Sequence, residues 1–131
     1  MDDVDLKQRT KAFALRVLKL VSALPSGQPG WTIAGQLADS GTSVASNYRA
    51  ACRARARAEF IAKIGVVEEE ADESCFWLEL VMETGLLPDT HVKPLWREAN
   101  EITSIMAASR KTAKRNDAAP RNRQSEIGNR K

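Results

Sequence analysis

The chain has 131 residues, one domain's worth, with 43 % hydrophobic and only 5 % aromatic residues, and this alanine-rich composition suits helix packing rather than a β-sandwich. No apolar run approaches the roughly 20 residues that span a bilayer, and the start Met1-Asp2-Asp3-Val4-Asp5 is acidic where a secretion signal is basic, so a cytoplasmic protein with no membrane partner is expected. The net charge of +3 belongs to the end of the chain: six basic and two acidic residues from Lys114 to Lys131 leave residues 1–113 at about −1, which excludes a uniformly basic surface.

The first predicted helix runs from about Val4 to Leu24. Val17, Leu18, Val21 and Leu24 recur at helical spacing, widened by Phe13, Ala14 and Leu20, with Arg9, Arg16 and Lys19 on the other side. Pro25-Ser26-Gly27-Gln28-Pro29-Gly30 ends it with concentrated turn chemistry. The second runs from about Trp31 to Arg53 on a stripe of Ile33, Leu37, Val44, Tyr48 and Cys52, flanked by Ala34, Gly35, Ala38, Gly41 and Ala45. A glycine inside a helix costs about 1 kcal/mol relative to alanine, so this helix is expected to be central and closely packed.

The third helix is predicted from about Glu59 to Thr84, with Phe60, Ile64, Val67, Ala71, Cys75, Leu78 and Met82 in period and Gly85 as its C′ residue. No glycine or proline separates it from the second. A single helix from Trp31 to Thr84 would be about 80 Å long, too long for a compact chain of this size, so a turn is expected near residues 54–58. The fourth runs from about Thr90 to Lys114, with Leu95, Ala99, Ile102, Met106 and Ser109 inside and Pro94 near its first turn. Four such helices on short connections predict an all-α, antiparallel up-down-up-down four-helix bundle over residues 1–114, and a basic, disordered tail over 115–131.

Catalytic chemistry finds little foothold. A di-metal carboxylate centre needs Glu-x-x-His on two helices, and the chain has His91 alone and no such pair. Cys52 and Cys75 fall on apolar faces and read as reduced, buried hydrophobes. There is no glycine-rich phosphate loop, no Cys-x-x-Cys and no Ser/His/Asp set, so no enzyme activity, cofactor or metal is expected. Trp31, Trp77 and Trp96 read as core, any left exposed being an interface anchor.

Charge is more informative. Arg49, Arg53 and Arg57 stand at i, i+4 and i+8, with Arg55 beside them and no acid before Glu59. Such a ridge repels itself unless an anion relieves it, and guanidinium groups bind phosphate and carboxylate bidentately. Two anions are open: nucleic-acid backbone, whether RNA or DNA, or the acidic run Glu68-Glu69-Glu70-Ala71-Asp72-Glu73 of the third helix. In the second case Glu69, Glu70 and Glu73 pair with arginines within the chain or across subunits.

The segment Ser43-Val44-Ala45-Ser46-Asn47-Tyr48-Arg49-Ala50-Ala51 is followed by Ala58-Glu59-Phe60-Ile61-Ala62-Lys63-Ile64-Gly65, then Glu69-Glu70-Ala71-Asp72-Glu73-Ser74 and Phe76-Trp77-Leu78-Glu79-Leu80. In that order these resemble the bacterial four-helix-bundle protein family first noticed as products of intervening sequences in large-subunit ribosomal RNA genes. The resemblance spans roughly residues 10–115. It implies an antiparallel bundle that assembles as a homopentameric ring. It also implies kinship with the accessory proteins of diversity-generating retroelements, which hold nucleic acid and a reverse transcriptase on a basic bundle surface. The expected function is a non-enzymatic homo-oligomeric scaffold that binds nucleic acid through the arginine ridge; the alternative is a purely structural interaction module with intersubunit salt bridges.

Overall fold

The computed structural model describes residues 3–118 and contains four helices: α1 (Asp3–Ser22), α2 (Gly30–Cys52), α3 (Arg57–Glu83) and α4 (Asp89–Ala118). Each packs on the next and α1 closes on α4. The directions alternate. Glu68 and Glu79 of α3 bond to Arg110 and Trp96 of α4, so one helix ascends where the other descends. Among the described residues the all-α, up-down-up-down bundle expected from the sequence is what forms.

The core is one apolar column fed by all four helices. Phe13, Leu37, Ile64, Leu78, Ile102 and Met106 are its largest fully buried side chains, each worth about 1.5–3 kcal/mol in area removed from water. Three hydroxyls interrupt it. Ser40 of α2 and Ser74 of α3 lie 2.9 Å apart across the helix interface, while Thr10 donates back to the Leu6 carbonyl at 2.8 Å. All three are buried and partnered, so none carries an unmet desolvation cost.

The helix ends show why the elements stop where they do. At the end of α3, Gly85 takes φ +72°, its N–H meets the Met82 carbonyl at 3.1 Å, and that of Leu86 meets Val81 at 3.2 Å. This is a Schellman cap, which needs the left-handed residue that glycine supplies at C′. The break between α2 and α3 falls at residues 53–56, slightly before the expected 54–58. Arg53 and Ala54 turn their N–H groups onto Ala50 and Ala51, and Glu59 reaches back to accept the Arg55 N–H at 3.2 Å.

Three expectations are corrected. Leu18, assigned to the core by its spacing, and Trp31, assigned there as a large apolar group, are 44 % and 64 % exposed. The angular stripe on each helix is wider than the strip its neighbours cover. Of the two glycines expected to give α2 close packing, Gly41 makes a close approach to a neighbouring helix and Gly35 faces open space. Finally, α4 runs four residues past Lys114, so residues 115–118 are helical; the rest of the expected tail, 119–131, lies outside the described residues.

Candidate anion-binding groove

Antiparallel packing lays the start of α1 beside the end of α2. There Lys7 and Lys11 of α1 face Arg49 and Arg53 of α2 across a groove of about 470 Å³. Gln8, Thr42, Ala45 and Ser46 also line it, and among the described residues none of the lining is acidic. All four cations are exposed, and no ion pair among the described residues involves any of them. The last turn of α2 adds the negative end of its macrodipole, which offsets part of their mutual repulsion.

The arginine ridge read from the sequence is therefore split by the structure. Arg49 and Arg53 join the α1 lysines. Arg55 and Arg57 sit past the end of α2, over a shallower hollow of about 310 Å³ with Ala54, Ala56 and Phe60, and Arg57 already has a partner in the chain. Lys7 and Lys11 were not singled out by sequence reasoning. The available signal was their i, i+4 spacing, combined with the antiparallel order that brings residues 7–11 level with 46–53.

The acids of α3 go elsewhere. Glu68 takes Arg110 of α4 in a two-point pair at 2.7 and 3.3 Å. Arg9 of α1 likewise grips Glu98 at 2.7 and 2.8 Å and Glu101 at 2.6 Å. Glu69 and Glu73 are exposed, and the Glu73 carboxylate accepts the Trp77 indole N–H at 3.2 Å. Burial, then the neighbouring charges of Glu73, Glu69 and Asp39, push the Glu70 carboxyl above its ordinary range. No ion pair among the described residues joins Arg49, Arg53, Arg55 or Arg57 to Glu69, Glu70 or Glu73. The two sets lie on opposite flanks of α2: the cations toward α1, the acids toward α3.

Reactive chemistry does not collect elsewhere. Burial pushes the Cys75 thiol up to about 11, which keeps it protonated at neutral pH. No group of three or more His, Cys, Asp or Glu is placed to hold a metal among the described residues. No described helix is long and apolar enough to cross a membrane. The exposed large apolar side chains are Leu15, Leu18, Trp31 and Phe76. Leu15 and Leu18 continue the Lys7–Lys11 side of α1 up the bundle.

No curated protein matches the chain. A solved structure from Bacteroides thetaiotaomicron, described as a protein of unknown function from the S23 ribosomal protein family, is 31 % identical, with a TM-score of 0.78. The match covers 85 % of this chain and 99 % of that one. Residues 2–108 match the model of a family described as 23S rRNA-intervening sequence protein. With the bundle fold and a match over most of its length, the chain belongs to the 23S rRNA-intervening sequence protein family.

Proposed function

We propose that this protein is a non-enzymatic, cytoplasmic, homo-oligomeric scaffold that holds nucleic acid in the groove between α1 and α2. The observation that carries the reading is the set of Lys7, Lys11, Arg49 and Arg53 around a groove with no acid among its described lining residues. Four cations with no ion pair among the described residues repel one another, and a polyphosphate backbone relieves that repulsion while releasing its own counterions. Arg55 and Arg57 extend the same positive end of the bundle. Leu15, Leu18 and Trp31 are the anchors for subunit contact, in a ring of the pentameric kind implied by the family resemblance.

The test is fluorescence anisotropy of labelled RNA and DNA oligomers over a salt series, with light scattering of the same samples. Binding is expected to fall steeply with salt, and Arg49→Glu/Arg53→Glu is expected to abolish it with helicity unchanged. Absence of binding by the wild type at low salt, or indifference to salt, overturns the reading.

A second reading has its own support. Asp39, Glu69 and Glu73 crowd around Glu70 with no cation paired to them among the described residues, on the flank of α2 opposite the arginines. A neighbouring copy can set its arginines there, and because the two patches lie on opposite flanks of α2 the contact is head-to-tail, which closes into a ring or runs on as a filament. In that case Arg49→Glu/Arg53→Glu loses the oligomer while the wild type ignores RNA and DNA.

A further inference from the structure

We infer that the ligand of the α1–α2 groove is a single nucleic-acid strand rather than a duplex, its phosphates held between the lysine rim of α1 and the arginine rim of α2. This inference rests on the nucleic-acid reading above and goes beyond it in strandedness and in making Lys7 and Lys11 equal partners of Arg49 and Arg53.

Three observations carry it. The first is spacing. Lys7 and Lys11 are one turn apart on α1, as are Arg49 and Arg53 on α2, and four residues advance a helix by about 6 Å. That repeat is comparable with the separation of successive phosphates along one strand, paired or not, so it sets the register of phosphates on cations while strandedness rests on the next observation. The second is width. Just above the groove, α1 and α2 approach so closely that a Cβ on Gly41 would lie 2.7 Å from both Val17 methyl carbons. Packed helices stand about 8–10 Å apart, which makes the trough between them narrower than a duplex. A strand sinks between the rims; a duplex rests on them and exposes its phosphates to fewer cations.

The third is the lining. Gln8, Thr42 and Ser46 place amide and hydroxyl groups between the cations, although Thr42 and Ser46 are partly spent on helix carbonyls. No aromatic side chain lines the groove, so there is no platform on which bases can stack. Recognition therefore falls on the phosphodiester backbone, with bases turned outward and little sequence preference.

The experiment compares a labelled single strand of about twelve nucleotides of mixed sequence, a length within the range of typical single-strand sites, with a hairpin duplex carrying the same number of phosphates. Both are titrated into wild type, Lys7→Ala/Lys11→Ala and Arg49→Ala/Arg53→Ala. Alanine is the best helix former, so both variants should keep the bundle, checked by circular dichroism. The single strand is expected to bind at least about tenfold tighter than the hairpin. Each double variant should bind about tenfold more weakly and flatten the salt dependence, by about 0.7 in log–log slope for every phosphate no longer neutralised. A hairpin that binds as tightly as the strand overturns this inference and leaves the nucleic-acid reading standing. So does Lys7→Ala/Lys11→Ala with unchanged affinity while Arg49→Ala/Arg53→Ala loses it. If the wild type binds neither probe in a salt-sensitive way, both fall together.

Discussion

Gly41 of α2 meets the side chain of Val17 on α1 so closely that a Cβ on the glycine would come 2.7 Å from both valine methyl carbons and 2.9 Å from its Cβ. Val17 cannot swing clear, because its own Cβ is part of the contact. Gly41→Ala is therefore expected to destabilise the bundle by about 1–2 kcal/mol, overpacking outweighing the gain in helix propensity. Gly35 of the same helix has no atom within 4 Å of that position, so Gly35→Ala should gain about 0.5–1 kcal/mol. Thermal melts of the two variants should move in opposite directions.

The Ser40–Ser74 pair predicts a non-additive cycle. Removing either hydroxyl strips the other of its cross-helix partner and leaves Ser74 only the Glu70 carbonyl at 2.9 Å and Ser40 only the Leu37 carbonyl at 3.3 Å, so Ser40→Ala and Ser74→Ala should each cost about 1 kcal/mol. The double variant removes both polar groups together and should cost less than the sum. Urea titrations of the four proteins give the coupling energy directly; strict additivity would show that the two hydroxyls do not depend on each other.

Glu70 makes stability depend on pH in a defined sense. Its carboxyl is raised in the folded state by burial and by Glu73, Glu69 and Asp39. The folded protein therefore holds that proton more tightly than the unfolded chain, and the group favours folding when protonated, a benefit lost as pH rises through the raised value. Glu70→Gln is expected to raise the melting temperature at neutral pH, with the advantage vanishing as the pH falls below the ordinary glutamate range. Melting curves from about pH 4 to pH 8 check the sign; an advantage that grows in acid contradicts it.

The proposed assembly gives a further expectation. Leu15 and Leu18 are 59 % and 44 % exposed on a helix that is otherwise well buried on its inner face, and they add little to the stability of one subunit. Leu15→Ser/Leu18→Ser should reduce the particle mass in light scattering to that of one chain while leaving helicity unchanged. A species of undiminished mass would move the subunit contact to another face.

The fold was legible because three separate signals agreed: helical period, the Pro25–Gly30 turn and the Gly85 cap. The α2–α3 break was legible only through length, since its turn is built from Arg53 to Ala56 and relies on Glu59 accepting the Arg55 N–H. The groove was half legible. Arg49 and Arg53 stand out as a periodic pair within one helix, whereas Lys7 and Lys11 become part of the same site only when two antiparallel helices are set side by side. Leu18 misled for a related reason. Periodicity gives the direction in which a side chain points but not how far the neighbouring helix extends to cover it, and α1 meets α4 along a thinner seam than any other adjacent pair.

That thin seam, clasped by Arg9 on Glu98 and Glu101, makes α1 the helix most readily peeled from the bundle. One rim of the groove rides on it. A strand bridging Lys7 and Lys11 to Arg49 and Arg53 ties the loosest helix to its neighbour, so occupancy and cohesion become a single equilibrium. On the proposed function, amide exchange along α1 should slow when the groove fills, and any condition that frees α1 should release a bound strand at the same moment.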